Sequence, residues 1–352
     1  MMSGTGAYSI TRPVRRRAVY TVLLLAVCVA CVAAPATGSA GTAPAGDPYV
    51  ALGDSYSSGE GLPPFLAADA ADAASCDRSA AAAYPDLLAT DLDLPFSSAD
   101  FLACSGATTQ DLVDSQLTQG GATTPALGPG TQLVTFTIGG NDLDFVPALT
   151  ACVDGGLLLQ LAGIVPHPCW YYAARAQLLL AALAAPDLNN QPIAGVWGIP
   201  WIVRAIHAAA PNATIVIGGY PRLFPASSAA CLTGTLALGA FPALAAVPVA
   251  FSATVVEQFN AMADSLDATL AAIAAAAART MPVSYANVAP LFTGHAVSCS
   301  GTQTAANWIN SITTQPAAGG GLEYGVPAPS SFHPTAAGQV AYANAFLAAL
   351  GH

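Results

Sequence analysis

The sequence predicts an α/β fold in which a parallel sheet carries helices on both faces. Short apolar runs with strand character alternate with longer alanine-rich segments of helical spacing, the pattern of strand–helix–strand crossovers. The first four of those runs are each followed by glycine and polar residues, which sets a ligand-binding rim along the carboxyl ends of the strands. In order, the runs are Tyr49–Leu52, Asp100–Ala103, Leu133–Ile138, Thr214–Ile217 and Pro282–Tyr285. The helical segments are Cys169–Ala185, Pro200–Ala210 and Val255–Arg279. A last helix is marked by Ala336, Val340, Ala343, Leu347 and Leu350 at steps of four and three, with Gly351 as its stop. No linker-like stretch or internal repeat interrupts the chain after Asp47, so residues 47–352 read as one domain.

Composition excludes several classes. The chain of 352 residues is 54% hydrophobic and 8% charged, with a mean hydropathy of +0.54. That excess is largely scattered alanine broken by 32 glycines and 27 prolines, which excludes a polytopic membrane protein. Low charge with abundant aliphatic residues also excludes disorder. A net charge of −11 excludes a nucleic-acid partner. At the N-terminus, Arg15–Arg17 precede the apolar stretch Val22–Ala34 and then small residues. This is the pattern of a secretion signal over residues 1–40, cleaved after Ala40 or as late as Ala45. The apolar stretch is too short to serve as a stable membrane anchor. A lipid-modified Cys28 is disfavoured by the bulky Val27 before it. Without this segment five arginines face 20 acids, a net of −15, which suits a soluble, monomeric, exported protein.

Export bears on the cysteines. Six remain after the signal: Cys76, Cys104, Cys152, Cys169, Cys231 and Cys299. An even set in an oxidising compartment implies disulfides, and spacing leaves all 15 pairings open. No Cys-x-x-Cys or His-Glu-x-x-His spacing occurs, so neither a metal nor a cofactor is expected.

Four polar blocks follow one another in order. They are Gly53-Asp54-Ser55-Tyr56, Ser105-Gly106-Ala107-Thr108, Gly139-Gly140-Asn141-Asp142 and Phe332-His333-Pro334-Thr335. Acyl transfer needs a nucleophile, a base, and donors placed where the carbonyl oxygen gains charge. Ser55 follows a strand at a glycine-flanked turn, although the Gly-x-Ser-x-Gly elbow is absent because Ser57 stands at its second glycine. Gly106 offers a backbone N–H with no Cβ in the way, and Asn141 offers a neutral amide donor. His333 precedes a proline, which keeps it out of helical geometry and presents its ring from a loop. By contrast His167, His207, His295 and His352 read as surface or core residues. Asp54, Asp142 and Asp144 also invite reading as a metal or acid–base cluster, without metal-ligand spacing to support it.

Together the four blocks resemble the SGNH hydrolases, the Gly-Asp-Ser-Leu lipase and esterase family, and most of all its secreted actinobacterial branch. The resemblance spans the mature chain. It implies a three-layer, flavodoxin-like parallel sheet, with Ser55 as nucleophile and His333 as base. It also implies an oxyanion hole made of the Ser55 N–H, the Gly106 N–H and the Asn141 amide, and a structural, hydrogen-bonding role for Asp54. In that branch the disulfides pair in sequence order, as Cys76–Cys104, Cys152–Cys169 and Cys231–Cys299. One departure stands out. Many members carry aspartate three residues before the histidine, where this chain has Ser330. Branch members lacking that acid use a main-chain carbonyl, which places the Ser330 carbonyl as the group orienting His333. Glu323 is the alternative, as an acid supplied from elsewhere. The expected substrate is a small-molecule or lipid carboxylic ester. The alternatives are a phospholipase or polysaccharide deacetylase using the same site, or a non-catalytic binding module with no need of all four groups. The apolar stretch Cys231–Ala250 reads as core or as a wall for the acyl chain.

Overall fold

The computed structural model describes residues 46–66, 76–119, 122–152, 167–186, 191–226, 230–236, 247–312, 314–315, 326–327 and 330–352. The signal segment lies outside the described residues, as do Glu323 and residues 237–246 of the apolar stretch. At the centre is a four-stranded parallel sheet. Its strands are β1 (Tyr49–Gly53), β2 (Leu133–Thr137), β3 (Thr214–Gly218) and β6 (Val283–Ala286), adjacent in that order. Tyr49 pairs with Leu133, Leu133 with Thr214, and Ile215 with Val283.

The expected strand Asp100–Ala103 is corrected to a single parallel bridge, Phe101 with Ala51, on the outer edge of β1. The N–H groups of Leu102 and Ala103 both reach the Ala51 carbonyl, at 2.8 and 3.1 Å. Doubling on one acceptor breaks the register, as a bulge does. Counting that edge segment, the strands run 2-1-3-4-5 in sequence order, which is the flavodoxin-like arrangement. Its switch point falls between β1 and β2.

Alternation along each strand builds the two helical layers. Tyr49 and Ala51 on β1 and Val216 on β3 face a core shared with Tyr84 and Leu88 of α2 (Tyr84–Asp91) and with Tyr342 and Phe346 of α7 (Ala336–Leu350). Val50, Leu52, Val134, Phe136, Ile215 and Ile217 point the other way. There they meet Leu179 of α4 (Cys169–Ala184), Ile202 and Ile206 of α5 (Ile199–Ala209), and Leu270 of α6 (Ala253–Ala277). A sheet covered on both faces needs apolar residues at consecutive positions, and β1 and β2 are buried throughout.

Helix α7 bears out the apolar stripe read from the sequence at Ala343, which is buried, and at Leu347 and Leu350, which pack against the core, and corrects it at its start. Ala336 and Val340 are exposed, whereas Gly338, Gln339, Ala341, Tyr342, Ala345 and Phe346 are buried. The reason is Gln339, a polar residue at a core position. Its amide accepts from Tyr84 N–H at 2.8 Å and donates to the Tyr56 carbonyl at 3.2 Å. The helix is capped by Thr335, which accepts from Gly338 N–H, and ends at Gly351 in the left-handed region.

Disulfides join Cys76 to Cys104, Cys152 to Cys169 and Cys231 to Cys299. The second ties the end of α3 (Phe145–Cys152) to the start of α4. The third fixes the antiparallel pair β4 (Cys231–Leu236) and β5 (Val247–Phe251) to the loop after β6. In the chain-entropy account each such link contributes about 3–4.5 kcal/mol by restricting the unfolded chain.

Candidate active site

Ser55 opens a single helical turn, α1 (Ser55–Ser58), directly after β1. The turn begins there because Gly53 adopts φ +118, and a Cβ at that position would lie 2.3 Å from the Thr137 carbonyl oxygen. Gln116 fixes the same glycine from the side. Its amide accepts the Gly53 N–H at 2.7 Å and donates to the Gly53 carbonyl at 2.8 Å. Ser57, which stands where an elbow motif would place glycine, is buried and knots α1 to β2. Its hydroxyl meets Thr137 Oγ1 at 2.7 Å, accepts the Thr137 N–H at 3.0 Å, and lies 3.1 Å from the Tyr84 hydroxyl.

Asp54 caps α1. One carboxylate oxygen accepts from Tyr56 N–H at 3.0 Å and from Thr137 Oγ1 at 2.7 Å, and the other accepts from the Tyr220 hydroxyl. Burial outweighs these donors and raises its pKa to about 6, so at neutral pH it is mostly ionised and fully hydrogen-bonded.

His333 lies on the loop before α7, and its Nε2 is 2.7 Å from Ser55 Oγ. Its Nδ1 faces the carbonyl of Ser331 at 3.1 Å. The carbonyl facing Nδ1 is thus that of Ser331, next to the expected Ser330, whose oxygen accepts the His333 backbone N–H at 3.1 Å. The shift follows from the backbone: Phe332 takes a left-handed φ of +63, which turns the chain sharply just before the histidine. Antiparallel bonds with 308–310 hold the loop, through Phe332 N–H to Asn310 O, Asn310 N–H to His333 O, and Thr335 N–H to Trp308 O. Tyr56 closes the gap between the two halves by donating its hydroxyl to the Phe332 carbonyl at 2.8 Å.

The two remaining blocks meet at the β1–β2 switch point. Gly106 is exposed, with φ +76 and open space where a Cβ would be. Asn141 Nδ2 donates to the Ala107 carbonyl at 2.9 Å, which fixes the amide and leaves its second hydrogen available. Asp142 locks the same junction by accepting from Thr109 N–H at about 3 Å and from Thr109 Oγ1 at 2.6 Å. Burial raises the Asp142 pKa to about 6. Among the described residues neither the Ser55 N–H nor the Gly106 N–H donates to a protein acceptor. A helix-opening N–H and a turn N–H left unpaired can receive developing negative charge.

The other histidines are placed elsewhere. His295 stacks on Trp308 and its Nδ1 meets the Ala306 carbonyl, His167 stacks on Tyr171, His207 is in the last turn of α5, and His352 ends the chain. Asp144 pairs with Arg175 rather than with Asp54 or Asp142. Gln116, Tyr220 and Gln339 were not legible as support for the site, since their partners lie 63 to 283 residues away. Asp142 was visible as the neighbour of Asn141 and as part of an acidic cluster with Asp54 and Asp144, not as the lock on Thr109.

Residues 51–341 match the model of the GDSL-like Lipase/Acylhydrolase family. The chain belongs to that family, and it is a serine ester hydrolase. It is 34% identical to Lipase 1 of Streptomyces coelicolor over 304 residues, covering 86% of this chain and 87% of the relative. A lipase of Streptomyces rimosus is 33% identical over 325 residues, covering 92% of this chain and 94% of the relative. Among solved structures, the phospholipase A1 from Streptomyces albidoflavus NA297 superposes with a TM-score of 0.58 at 27% identity, covering 87% and 100% of the two chains. The extracellular lipase from Streptomyces rimosus gives 0.58 at 29% identity, covering 86% and 98%. These likenesses carry the three-layer SGNH fold described above. Among the described residues no helix is long and apolar enough to cross a membrane.

Proposed function

We propose that this family member is a secreted carboxylic-ester hydrolase of lipase or esterase type, with Ser55 as nucleophile and His333 as general base. The observation that carries the reading is the 2.7 Å contact between Ser55 Oγ and His333 Nε2 beside two unpaired N–H groups. Ser55 Oγ attacks the ester carbonyl while its proton passes to His333 Nε2. The negative oxygen is received by the N–H groups of Ser55 and Gly106 and by the free hydrogen of the Asn141 amide. His333 then returns the proton to the departing alcohol. Water, deprotonated by the same nitrogen, releases the acid from Ser55. The Ser331 carbonyl accepts the Nδ1 proton throughout, and so selects the tautomer in which Nε2 is the base.

Residues 1–40 direct export in this reading, which agrees with the three disulfides and with the extracellular relative from Streptomyces rimosus. The likeness to a phospholipase A1 gives phospholipid acyl esters a specific place beside simple esters and triacylglycerols. All three present the same carbonyl to the same groups. The test is an organophosphonate label located by mass spectrometry, followed by turnover on p-nitrophenyl esters, triacylglycerols and phospholipids. Label on Ser55, with Ser55→Ala and His333→Ala each losing about 10⁴-fold or more in kcat, is the expected result. Label on another serine would overturn the assignment.

A further inference from the structure

The hydroxyl of Tyr220 touches both loops that flank the β1–β2 switch point. It donates to the Asp54 carboxylate, which caps the nucleophile turn, and it accepts the Gly140 N–H at 3.4 Å, next to Asn141. Its ring packs beneath Gly140, where a Cβ would lie 3.4 Å from a ring carbon, and it meets the Tyr56 ring edge-on at 5.1 Å. The residue itself is held firmly. Its backbone N–H donates to Asp267 Oδ1 on α6 at 2.7 Å, and the adjacent Gly219 carbonyl accepts the Tyr342 hydroxyl at 2.9 Å. Gly219 is required for this, since a Cβ there would lie 2.1 Å from the Tyr285 hydroxyl and 2.7 Å from Asp267. One buried oxygen thus joins the turn supplying the Ser55 N–H to the loop supplying the Asn141 amide.

We infer that Tyr220 is a positioning residue that sets the spacing between the two halves of the oxyanion hole. The inference rests on the reading of Ser55 and Asn141 given above. An oxyanion donor contributes only if it lies where the charged oxygen arrives, and small displacements of such a group cost rate rather than substrate affinity. A phenol hydroxyl suits the task, because it can donate to a carboxylate and accept from an N–H simultaneously. It is also immobile, being buried and bonded through both its ring and its backbone.

The test is Tyr220→Phe, with kcat expressed per Ser55 labelled by an organophosphonate. The expected result is a loss on the order of tens of fold, within the hundredfold that a small misplacement can cost. kcat and kcat/KM should fall together, the mark of an interaction made only in the transition state. Affinity for an alkyl trifluoromethyl ketone, which forms the tetrahedral adduct, should fall by the same factor. Tyr49→Phe is the comparison, since it also removes a buried phenol bond, to Thr135 Oγ1, away from Asp54. It should leave kcat per labelled site unchanged. An equal loss in Tyr49→Phe, or an unchanged kcat in Tyr220→Phe, would overturn the inference. If Tyr220→Phe does not fold, Asp54→Ala removes the acceptor of the phenol proton altogether, leaving neither a donor nor an acceptor for that hydroxyl on the turn. An unchanged kcat and ketone affinity there would overturn it equally. Where both single variants fold, the double variant should lose no more than the worse single one, and additive losses count against the coupling. Failure of the underlying reading would look different, with the wild-type label absent from Ser55.

Discussion

The turn that carries Ser55 is anchored to the sheet by side chains, whereas the loop that carries His333 is anchored by its own backbone. On the first, Gln116 clasps Gly53, Ser57 and Thr137 bond to each other, and Asp54 gathers three donors. On the second, the backbone of 332–335 bonds to that of 308–310, and Tyr56 reaches across to the Phe332 carbonyl. In the proposed mechanism the nucleophile must be fixed against the oxyanion donors, and rigid side-chain bonding suits that. In the same proposal the base needs a correct tautomer and reach; the carbonyl on Nδ1 selects the first, and the backbone bonds that hold the loop provide the second. The two regions touch where Gly61 lies against Ser330.

Paired glycine substitutions break this comparison most directly. At Gly53 an alanine would meet a β2 carbonyl at 2.3 Å in a backbone conformation that disfavours a side chain. Neither strand can move, so Gly53→Ala should destabilise the fold by roughly 3 kcal/mol or more. Chemical denaturation checks this, and a stable, active Gly53→Ala would show the turn to be adaptable. At Gly61, φ +83, an alanine would meet Ser330 Cβ at 2.5 Å and its Cα at 2.8 Å. The partner here is a loop, so Gly61→Ala should fold and displace the histidine, lowering kcat about tenfold or more. A loss confined to stability would show the loop to be as stiff as the sheet.

Acidity adds a second contrast, because burial raises several carboxyls of the fold, Asp86 to about 7 and Asp100 to about 6 among them. Burial raises Asp54 and Asp142 to about 6, and Glu60 and Asp267 to about 7. Each binds its proton more tightly folded than unfolded. Their contribution to stability is therefore fully present below the unfolded value of about 4 and is lost as pH rises through 6 to 7. Calorimetry should find a higher melting temperature at pH 5 than at pH 8, and the reverse order would refute burial as the governing cause.

The same contrast explains what could be read from the chain. The strands and the Gly-Asp-Ser and Gly-Gly-Asn-Asp blocks were legible because apolar runs and glycine turns are local patterns. Only the first turns of the α7 face were misread, at Ala336 and Val340, because Gln339 counts as polar in any periodicity, yet it is buried to bond Tyr84 and Tyr56. The strand at 100–103 failed because two N–H groups share one acceptor, which residue types do not reveal. Tyr220 gave no signal beyond its place after β3. That His333 Nδ1 faces the Ser331 carbonyl could not be read from the chain, because the positive φ of Phe332 has no sequence signature.

The smallest expected effect tests that carbonyl. Substitution of a side chain leaves the main-chain oxygen in place, and Ser330→Ala keeps the Cβ that lies beside Gly61. Its own carbonyl accepts the His333 backbone N–H, a bond that any residue can make. If main-chain groups alone shape this loop and the Ser331 carbonyl fixes the tautomer, Ser330→Ala should retain nearly all of the wild-type kcat. Loss of an acid partner behaves otherwise, costing about 10⁴-fold when the histidine takes the wrong tautomer. Glu323, the acid raised by the sequence, lies outside the described residues, and Glu323→Gln addresses it directly. Turnover of Ser330→Ala and Glu323→Gln on one soluble ester, at matched folding stability, separates the two arrangements. Near-wild-type rates in both are expected of a serine–histidine pair steered by a carbonyl. A collapse in the glutamine variant alone would assign the third position to Glu323 and refute the Ser331 carbonyl.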